Sequence, residues 1–196
     1  MKRQEISLST EQEEAVEMCL DALNRIFSVT GRAGTGKTSV LGIAYDETVQ
    51  QVGAGKVVLC APTGRAAKRI YELTGIKAKT IHKLLEFPQP DDEDENGKPL
   101  PPDPRRNRER PLVERVVYVD ESSMLSQQLY DQLMAALPTN GRIRFFGDCE
   151  QLPPVDKGSP FEDLLRRERS NALTVVSDRM MKSYQTQSAS VSDGFP

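Results

Sequence analysis

Eight residues near the amino terminus constrain this chain more than any other feature: Gly31-Arg32-Ala33-Gly34-Thr35-Gly36-Lys37-Thr38. They fit the pattern G-x-x-x-x-G-K-[ST] and stand between a strand-like run, 25–30, and a helix-like segment, 37–51. Glycines here let the backbone curve round an anion with its N–H groups directed inward, at a helix amino terminus that favours negative charge. The pattern therefore predicts a phosphate-binding loop, in which Lys37 reaches the β- and γ-phosphates of a nucleotide and the Thr38 hydroxyl coordinates Mg²⁺.

Two acidic residues follow an apolar run in the second half of the chain. Asp120 and Glu121 come directly after 115–119, a continuous apolar stretch of the kind that is buried on both faces of a sheet. The carboxyl ends of parallel strands open toward the ligand crevice, so both acids are expected beside the phosphate loop. Asp120 is predicted to hold Mg²⁺, partly through water, and Glu121 to orient or deprotonate an attacking water.

Around these motifs, β-rich runs alternate with helical segments, which predicts an α/β fold with a parallel sheet flanked by helices. The predicted strands are 25–30, 56–61, 115–119 and 142–146. The predicted helices follow a cap at Ser9 and cover 37–51, 64–73, 80–86, 126–137 and a segment beginning at 159. We expect one domain over 1–169, followed by a polar segment, 170–196, that is a disordered tail or the start of a further domain.

A polar, proline-rich stretch interrupts this alternation at about 87–111. From Glu86 to Pro111 there are eight acidic and five basic residues and seven of the 13 prolines, so the whole formal charge of −3 resides there. Such a composition cannot bury much apolar surface and predicts a solvated insertion or mobile loop. Asn96-Gly97 favours a hairpin turn in its middle, although the prolines argue against long paired strands.

Cysteine usage and charge exclude several classes of protein. Cys19, Cys60 and Cys149 lie far apart without a zinc-binding spacing, which predicts free thiols in a reducing, cytoplasmic setting. No run approaches the ~20 apolar residues that cross a bilayer, so no membrane partner is expected. Outside the insertion the charges balance, so any binding of nucleic acid must come from a local group of donors rather than bulk charge.

The motifs also occur in the order of a known family. GRAGTGKT, APTGRAA, TIHKLL, VVYVDESSML and GDCEQLPPV, between about 8 and 165, resemble the superfamily 1 helicases, in particular the RecD-like (exonuclease V alpha-subunit) branch. The resemblance implies a RecA-like P-loop fold, ATP and Mg²⁺ as cofactors, single-stranded DNA as partner and 5′ to 3′ translocation. It also implies a second RecA-like domain or partner helicase and nuclease subunits. Only 31 residues follow Leu165, so a truncated helicase or an amino-terminal fragment is expected.

The resemblance assigns further roles residue by residue. Gln12 would read the adenine base, although it also fits a capping box with Ser9. Gln151 would sense the γ-phosphate and its water, which suits a side chain that both donates and accepts hydrogen bonds. The implied contacts with single-stranded DNA are Pro62, Thr63, Arg65, Thr80 and His82. A helix cap for Thr63 and a purely structural role for His82 are the alternatives.

Two functions of different classes fit these observations. The first is the ATP-binding and hydrolysing domain of a 5′–3′ DNA helicase, and the alternative is a non-catalytic, nucleotide-dependent module that binds DNA or protein. The complete set of predicted site residues favours the first, while the missing second domain favours dependence on a partner. A small-molecule kinase is a weaker third interpretation, because it gives APTGRAA and GDCEQLPPV no purpose.

Overall fold

The computed structural model of the chain describes residues 8–89, 91–93, 96–148 and 158–170. Five parallel strands in these ranges form one sheet with the order β1-β5-β4-β2-β3. The strands are β1 (Ile26–Thr30), β2 (Val57–Ala61), β3 (Lys79–Thr80), β4 (Val116–Val119) and β5 (Arg142–Gly147). The structure confirms the predicted parallel sheet and all four predicted strands. The two-residue β3 is new, because so short a strand has no periodicity to detect. The predicted tail, 170–196, lies outside the described residues after Ser170.

Helices flank the sheet and begin within one residue of the predicted positions. They are α1 (Thr10–Leu20), α2 (Lys37–Val52), α3 (Gly64–Thr74), α4 (Ile81–Leu84), α5 (Gln127–Ala136) and α6 (Pro160–Ser170). The start of α1 shows the local cause, since the Gln12 N–H donates to Ser9 Oγ at 3.3 Å and the Ser9 N–H donates to Gln12 Oε1 at 3.0 Å. This is the predicted capping box. In the described ranges, no helix combines the length and apolar character needed to cross a membrane.

The sheet is buried on both faces, which explains its continuous apolar strands. In β4, Val116 and Tyr118 belong to the core that α1, α2 and α3 cover, while Val117 and Val119 belong to the core under α4, α5 and α6. All four are at most 1% exposed. Alternate residues of one strand therefore hold the two helical layers together.

Arg144, in the middle of β5, is a fully buried cation that sequence reasoning did not single out. Its guanidinium donates to the carbonyl oxygens of Cys19 at 2.7 Å, Asp21 at 2.8 Å and Asn24 at 2.9 Å. Burial lowers the pKa of this group. The carbonyls at the end of α1 carry the negative pole of the helix and offset the lost hydration of the cation. Arg144 thus ties the end of α1 to the sheet.

Arg144→Leu is expected to lower the free energy of unfolding by about 2–4 kcal/mol, because carbonyls at the end of α1 lose their donor without gaining water. Arg142→Leu provides the comparison, since Arg142 is half-buried and donates to the Leu20 carbonyl at 3.2 Å. That variant should lose about 1 kcal/mol or less. Urea denaturation of both variants measures the difference, and equal losses would contradict this role of Arg144.

The insertion after α4 is largely exposed, as predicted, but ion pairs close its base. Arg106 donates to Glu86 Oε1 from Nη2 at 2.6 Å and from Nε at 2.8 Å, and Arg110 lies 3.2 Å from Glu86 Oε2. The hydrogen bond from Arg106 lowers the pKa of the Glu86 carboxyl. Within the described part of the insertion, strand pairing is limited to one antiparallel bridge between Glu93 and Pro99. The prolines thus prevent a longer ladder.

Two of the three cysteines are buried free thiols, Cys19 and Cys60. Burial raises the pKa of Cys19 to about 12 and raises the pKa of Cys60 as well. Both are therefore protonated and act as small core residues rather than nucleophiles. Cys149 lies outside the described residues.

Candidate active site

The predicted motifs all follow the carboxyl ends of strands, and the parallel sheet brings these ends to one edge. The phosphate loop follows β1, and the acid pair follows β4. The sequence did not reveal that β5 lies between these two strands. The backbone that leaves β5 at Gly147 therefore emerges between the loop and the acids, and the Gly31 N–H donates to the Gly147 carbonyl at 3.3 Å.

The phosphate loop depends on backbone conformations that glycine allows. Gly34 and Gly36 have φ of 85° and 84°, in the left-handed region that disfavours other residues. A Cβ on Gly31 would lie 2.7 Å from Thr35 Oγ1 and would force the Thr35 side chain to shift. Lys37 spans the loop, because its Nζ donates to the Arg32 carbonyl at 2.9 Å and also to the Gly31 carbonyl. The ammonium group is thus held inside the curve of the loop.

One cavity of about 290 Å³ brings the predicted phosphate and metal residues together. The loop contributes Ala33, Gly34, Gly36, Lys37 and Thr38 to its wall. Asp120 and Glu121 line it from the end of β4, and α3 adds a wall that the sequence did not indicate. That wall consists of Ala66, Arg69, Ile70 and Leu73. Two cations, two carboxylates and a hydroxyl thus line one space.

The two acids differ in environment although they are neighbours. Asp120 is more deeply placed, and burial raises its pKa to about 6 with a further contribution from the charge of Glu121. The Glu121 N–H donates to Asp120 Oδ1 at 2.9 Å and opposes this shift. Glu121 has the uncommon left-handed conformation for a residue with a side chain, with φ of 52° and ψ of 40°. Such backbone strain is concentrated at functional sites.

The cavity offers the donors that a magnesium ion prefers. Mg²⁺ is held by carboxylate and hydroxyl oxygens and keeps several waters. Asp120 and Thr38 supply such oxygens to the same cavity. A carboxylate with a raised pKa is one whose negative charge lacks sufficient local compensation, and a cation would supply it. The residues present therefore fit a magnesium site.

Asp120→Asn is expected to stabilise the nucleotide-free protein at pH 7.5 by roughly 1–3 kcal/mol. The folded-state pKa of about 6 lies above the unfolded value. The folded protein therefore binds more protons through the window from about pH 4 to 6, and the cost of the buried charge is fully present above it. Asparagine removes that charge and keeps an acceptor for the Glu121 N–H. Urea unfolding of both proteins without Mg²⁺ at pH 4.5 and 7.5 measures this, and an equal difference at both values would contradict it.

Arg69 is the charged residue of the α3 wall, and sequence reasoning missed it because an exposed arginine on a helix resembles any solvated surface charge. Its Nη1 lies 3.9 Å from Glu121 Oε1, and its side chain is 71% exposed. The signal in the sequence was the helical spacing of Ala66, Arg69, Ile70 and Leu73, which places them along one side of α3. Arg69 brings a second cation to a cavity in which Lys37 was the predicted one.

Gln12 lies outside the 290 Å³ cavity and contacts the loop from α1. Its Oε1 accepts the Ser9 N–H, and its Nε2 donates to the Thr35 carbonyl at 2.9 Å. A Cβ on Gly36 would collide with Nε2. The capping-box interpretation is therefore correct, and Gln12 also braces the phosphate loop. Recognition of adenine by Gln12 stays a prediction.

The five predicted DNA contacts meet on two neighbouring strand ends. Pro62, Thr63 and Arg65 follow β2, Thr80 ends β3, and Ala61 pairs with Thr80 in the ladder. Both threonines cap helices, since Thr63 Oγ1 accepts the Ala66 N–H at 3.1 Å and Thr80 Oγ1 accepts the Lys83 N–H at 3.2 Å.

The sole histidine, His82, is exposed, and its ring centroid lies 4.8 Å from that of Phe87. Gln151 falls between Asp148 and Gly158 and so lies outside the described residues.

The AAA domain family matches residues 7–195 of the chain. The ATP-dependent RecD2 DNA helicase of Deinococcus radiodurans is 35% identical over 188 residues, which cover 96% of this chain and 24% of that protein. The RecBCD enzyme subunit RecD of Mycolicibacterium smegmatis is 33% identical over 158 residues, covering 70% of this chain and 27% of the subunit. The chain thus spans about a quarter of the length of these curated relatives.

A solved structure of two coordinating Pif1 helicases at forked double-stranded DNA is similar in fold. It covers 83% of this chain and 38% of its own, with a TM-score of 0.51 and 26% identity. The parallel sheet, the cavity and the similarity to these proteins all point to the same fold and family. The chain has the RecA-like P-loop fold and belongs to the AAA domain family, in the RecD-like branch of the superfamily 1 helicases.

Proposed function

We propose that this chain is the nucleotide-hydrolysing half of a 5′–3′ DNA helicase, with residues 1–169 as its first RecA-like domain. It would couple hydrolysis of Mg-ATP to movement along single-stranded DNA. The observation that carries the proposal is the single cavity lined by Lys37, Thr38, Asp120 and Glu121. Hydrolysis of a phosphoanhydride needs a cation on the phosphates, a metal ligand and a base for water, and the cavity holds candidates for all three.

Each side chain has a distinct task in this proposal. The loop amides and Lys37 bind the β- and γ-phosphates, and Thr38 and Asp120 would hold Mg²⁺, which supplies positive charge to the phosphate oxygens when bound. The Glu121 carboxylate holds the attacking water and accepts its proton. Arg69, 3.9 Å from Glu121, keeps that carboxylate oriented. Gln151 would sense the γ-phosphate, and Gln12 would read the base while it supports the loop.

The carboxyl ends of β2 and β3 are the proposed path of single-stranded DNA. Pro62, Thr63, Arg65 and Thr80 would contact phosphates, because helix amino termini and side-chain donors favour anions there. His82, whose ring is tilted by 49° against that of Phe87, offers an exposed ring of the kind on which bases stack. The relatives named as DNA helicases support this partner.

A second RecA-like domain, or a partner helicase or nuclease subunit, would complete the motor. An arginine supplied to the γ-phosphate by such a partner is typically worth ~10³–10⁵ in rate. The chain by itself is therefore expected to bind Mg-ATP, to hydrolyse it slowly and not to separate duplexes.

Titration of single-stranded DNA into an ATPase assay tests the proposal. Because the DNA path and the cavity lie on one edge of the sheet, we expect DNA to stimulate the slow hydrolysis. Nucleotide binding without any turnover, with or without DNA, would instead support the non-catalytic module. Processive strand separation by the purified chain alone would contradict the need for a second half.

A further inference from the structure

The opposite edge of the sheet, where the strands begin, carries a row of cations. Arg25 precedes β1, Lys56 precedes β2, Arg115 precedes β4, and Arg142 opens β5. In the strand order these four residues stand side by side. Backbone hydrogen bonds set their spacing, since the Arg142 N–H donates to the Arg115 carbonyl and the Arg115 N–H donates to the Lys56 carbonyl, both at 2.7 Å.

Three of these cations open onto one cleft of about 370 Å³. Its wall consists of Lys56, Arg115 and Arg142 together with Ala22, Val52 and Asn140. None of these lining residues is acidic. Val52 at the end of α2 and Asn140 in the turn before β5 line its sides, and Arg142 also donates to the Leu20 carbonyl at 3.2 Å.

The charges of this cleft have no acidic counterpart in the described ranges, where no carboxylate lies within 4.0 Å of Lys56, Arg115 or Arg142. The acids nearest in sequence face elsewhere. Glu114 lies 3.7 Å from Lys79, and the Asp21 carboxylate accepts the Leu23 N–H and the Asn24 side-chain amide.

Like charges on adjacent strands repel and cost folding free energy. Lys56 and Arg115 are exposed, and such positions at strand starts accept many polar residues, so the fold itself does not require a cation at either one. An anion in the cleft would offset the repulsion.

We propose that this cleft binds backbone phosphates of a nucleic-acid strand, as a second nucleic-acid contact. The forked donors of Arg115 match phosphate oxygens, and Arg142, which keeps one donor on the Leu20 carbonyl, adds further guanidinium donors. Lys56 and Asn140 also supply donors to the cleft. Strands of five residues place the cleft about 17 Å from the edge that carries Thr63 and Thr80. The choice of nucleic acid rests on the proposed function, whereas the anion site itself does not.

The test compares the salt dependence of binding of a labelled oligothymidylate to the full chain and to the K56Q/R115Q double variant, by fluorescence anisotropy. Each phosphate contact with a single strand contributes about 0.7 to the slope of log K against log salt concentration, so the double variant should lose about 1.4. The control is R166Q/R167Q, which removes the same charge from the exposed side of α6 and should leave the slope unchanged.

Two further measurements keep the outcome decisive. The double variant should keep its melting temperature and its DNA-independent ATPase rate, because its positions are exposed and lie outside the nucleotide cavity. Arg65→Gln should weaken DNA binding through the other edge. A weakened Arg65 variant beside an unchanged cleft variant would overturn this inference and leave the proposed function standing. An effect of the cleft variant alone would support the inference and count against the proposed DNA path.

Competition identifies the source of the phosphate. Excess unlabelled oligothymidylate should displace the probe from the cleft, and inorganic triphosphate should do so only at much higher concentration, because it lacks a continuous backbone. Equal displacement by triphosphate would show a site for free polyphosphate and overturn the nucleic-acid assignment. Equal displacement by polyglutamate of the same charge would likewise overturn it, in favour of an acidic protein segment.

Discussion

Replacing Lys37 with alanine is expected to reduce kcat for ATP hydrolysis by roughly 10²–10³-fold, the usual loss when a preorganised donor to a reacting oxyanion is removed. The same change should weaken nucleotide binding. Lys37 spans the loop through the Gly31 and Arg32 carbonyls, which hold its ammonium group inside the curve of the loop. Alanine removes both the charge and the brace of the loop.

Steady-state hydrolysis and binding of a fluorescent ATP analogue measure the two losses separately. Lys77→Ala is the matched control, because Lys77 is exposed and lies outside the cavity. Full nucleotide affinity in the Lys37 variant would contradict the assignment of the phosphate loop. A melting temperature close to the parent value would show that the loss belongs to the site rather than to folding.

Glu121→Gln is expected to lower kcat by roughly 10²–10⁴-fold, the range typical of a lost general base, while nucleotide affinity changes little. The amide has nearly the same shape as the carboxylate but cannot accept the proton of water. It also ends the ion pair with Arg69. A large loss of kcat with little change in nucleotide affinity is the diagnostic result, because a residue that only bound phosphate would change both.

Single-turnover hydrolysis and calorimetric binding of ATP separate the two quantities. Glu72→Gln makes the same chemical change at an exposed position of α3, next to its surface partner Lys68, and should leave both quantities unchanged. If the Glu121 variant hydrolysed ATP at the parent rate, Glu121 would not be the base. Arg69→Gln then reports whether the arginine acts through Glu121, since it should have no further effect in the Glu121→Gln background.

Local features of the fold were predictable because their causes are local. The capping box of Ser9 and Gln12 joins residues three apart, and the glycine pattern of the loop reflects conformations that glycine adopts. The continuous apolar run of β4 indicates that this strand is buried on both faces. The two-residue β3 was missed because its cause is not local: it is a strand only through its pairing with β2.

The candidate site shows the same division. The sequence indicated Lys37, Thr38, Asp120 and Glu121 by motif, and the structure brings all four to one cavity. The sequence did not indicate Arg69. Its partner Glu121 is distant in the chain, and the two side chains come within 3.9 Å of each other only in the folded structure. The contact of Gln12 with the Thr35 carbonyl is of the same kind, joining residues 23 apart.

The sequence by itself determined the phosphate loop, the acid pair, the alternation of strands and helices and the likeness to a helicase family. Those properties depend on residue type and on spacings of a few positions. The tertiary structure alone decided that β5 lies between β1 and β4, that Arg144 is buried against the end of α1, and that Lys56, Arg115 and Arg142 share a cleft. The physical reason is that strand order and chain crossovers bring distant residues together, and no local pattern encodes the distance between them.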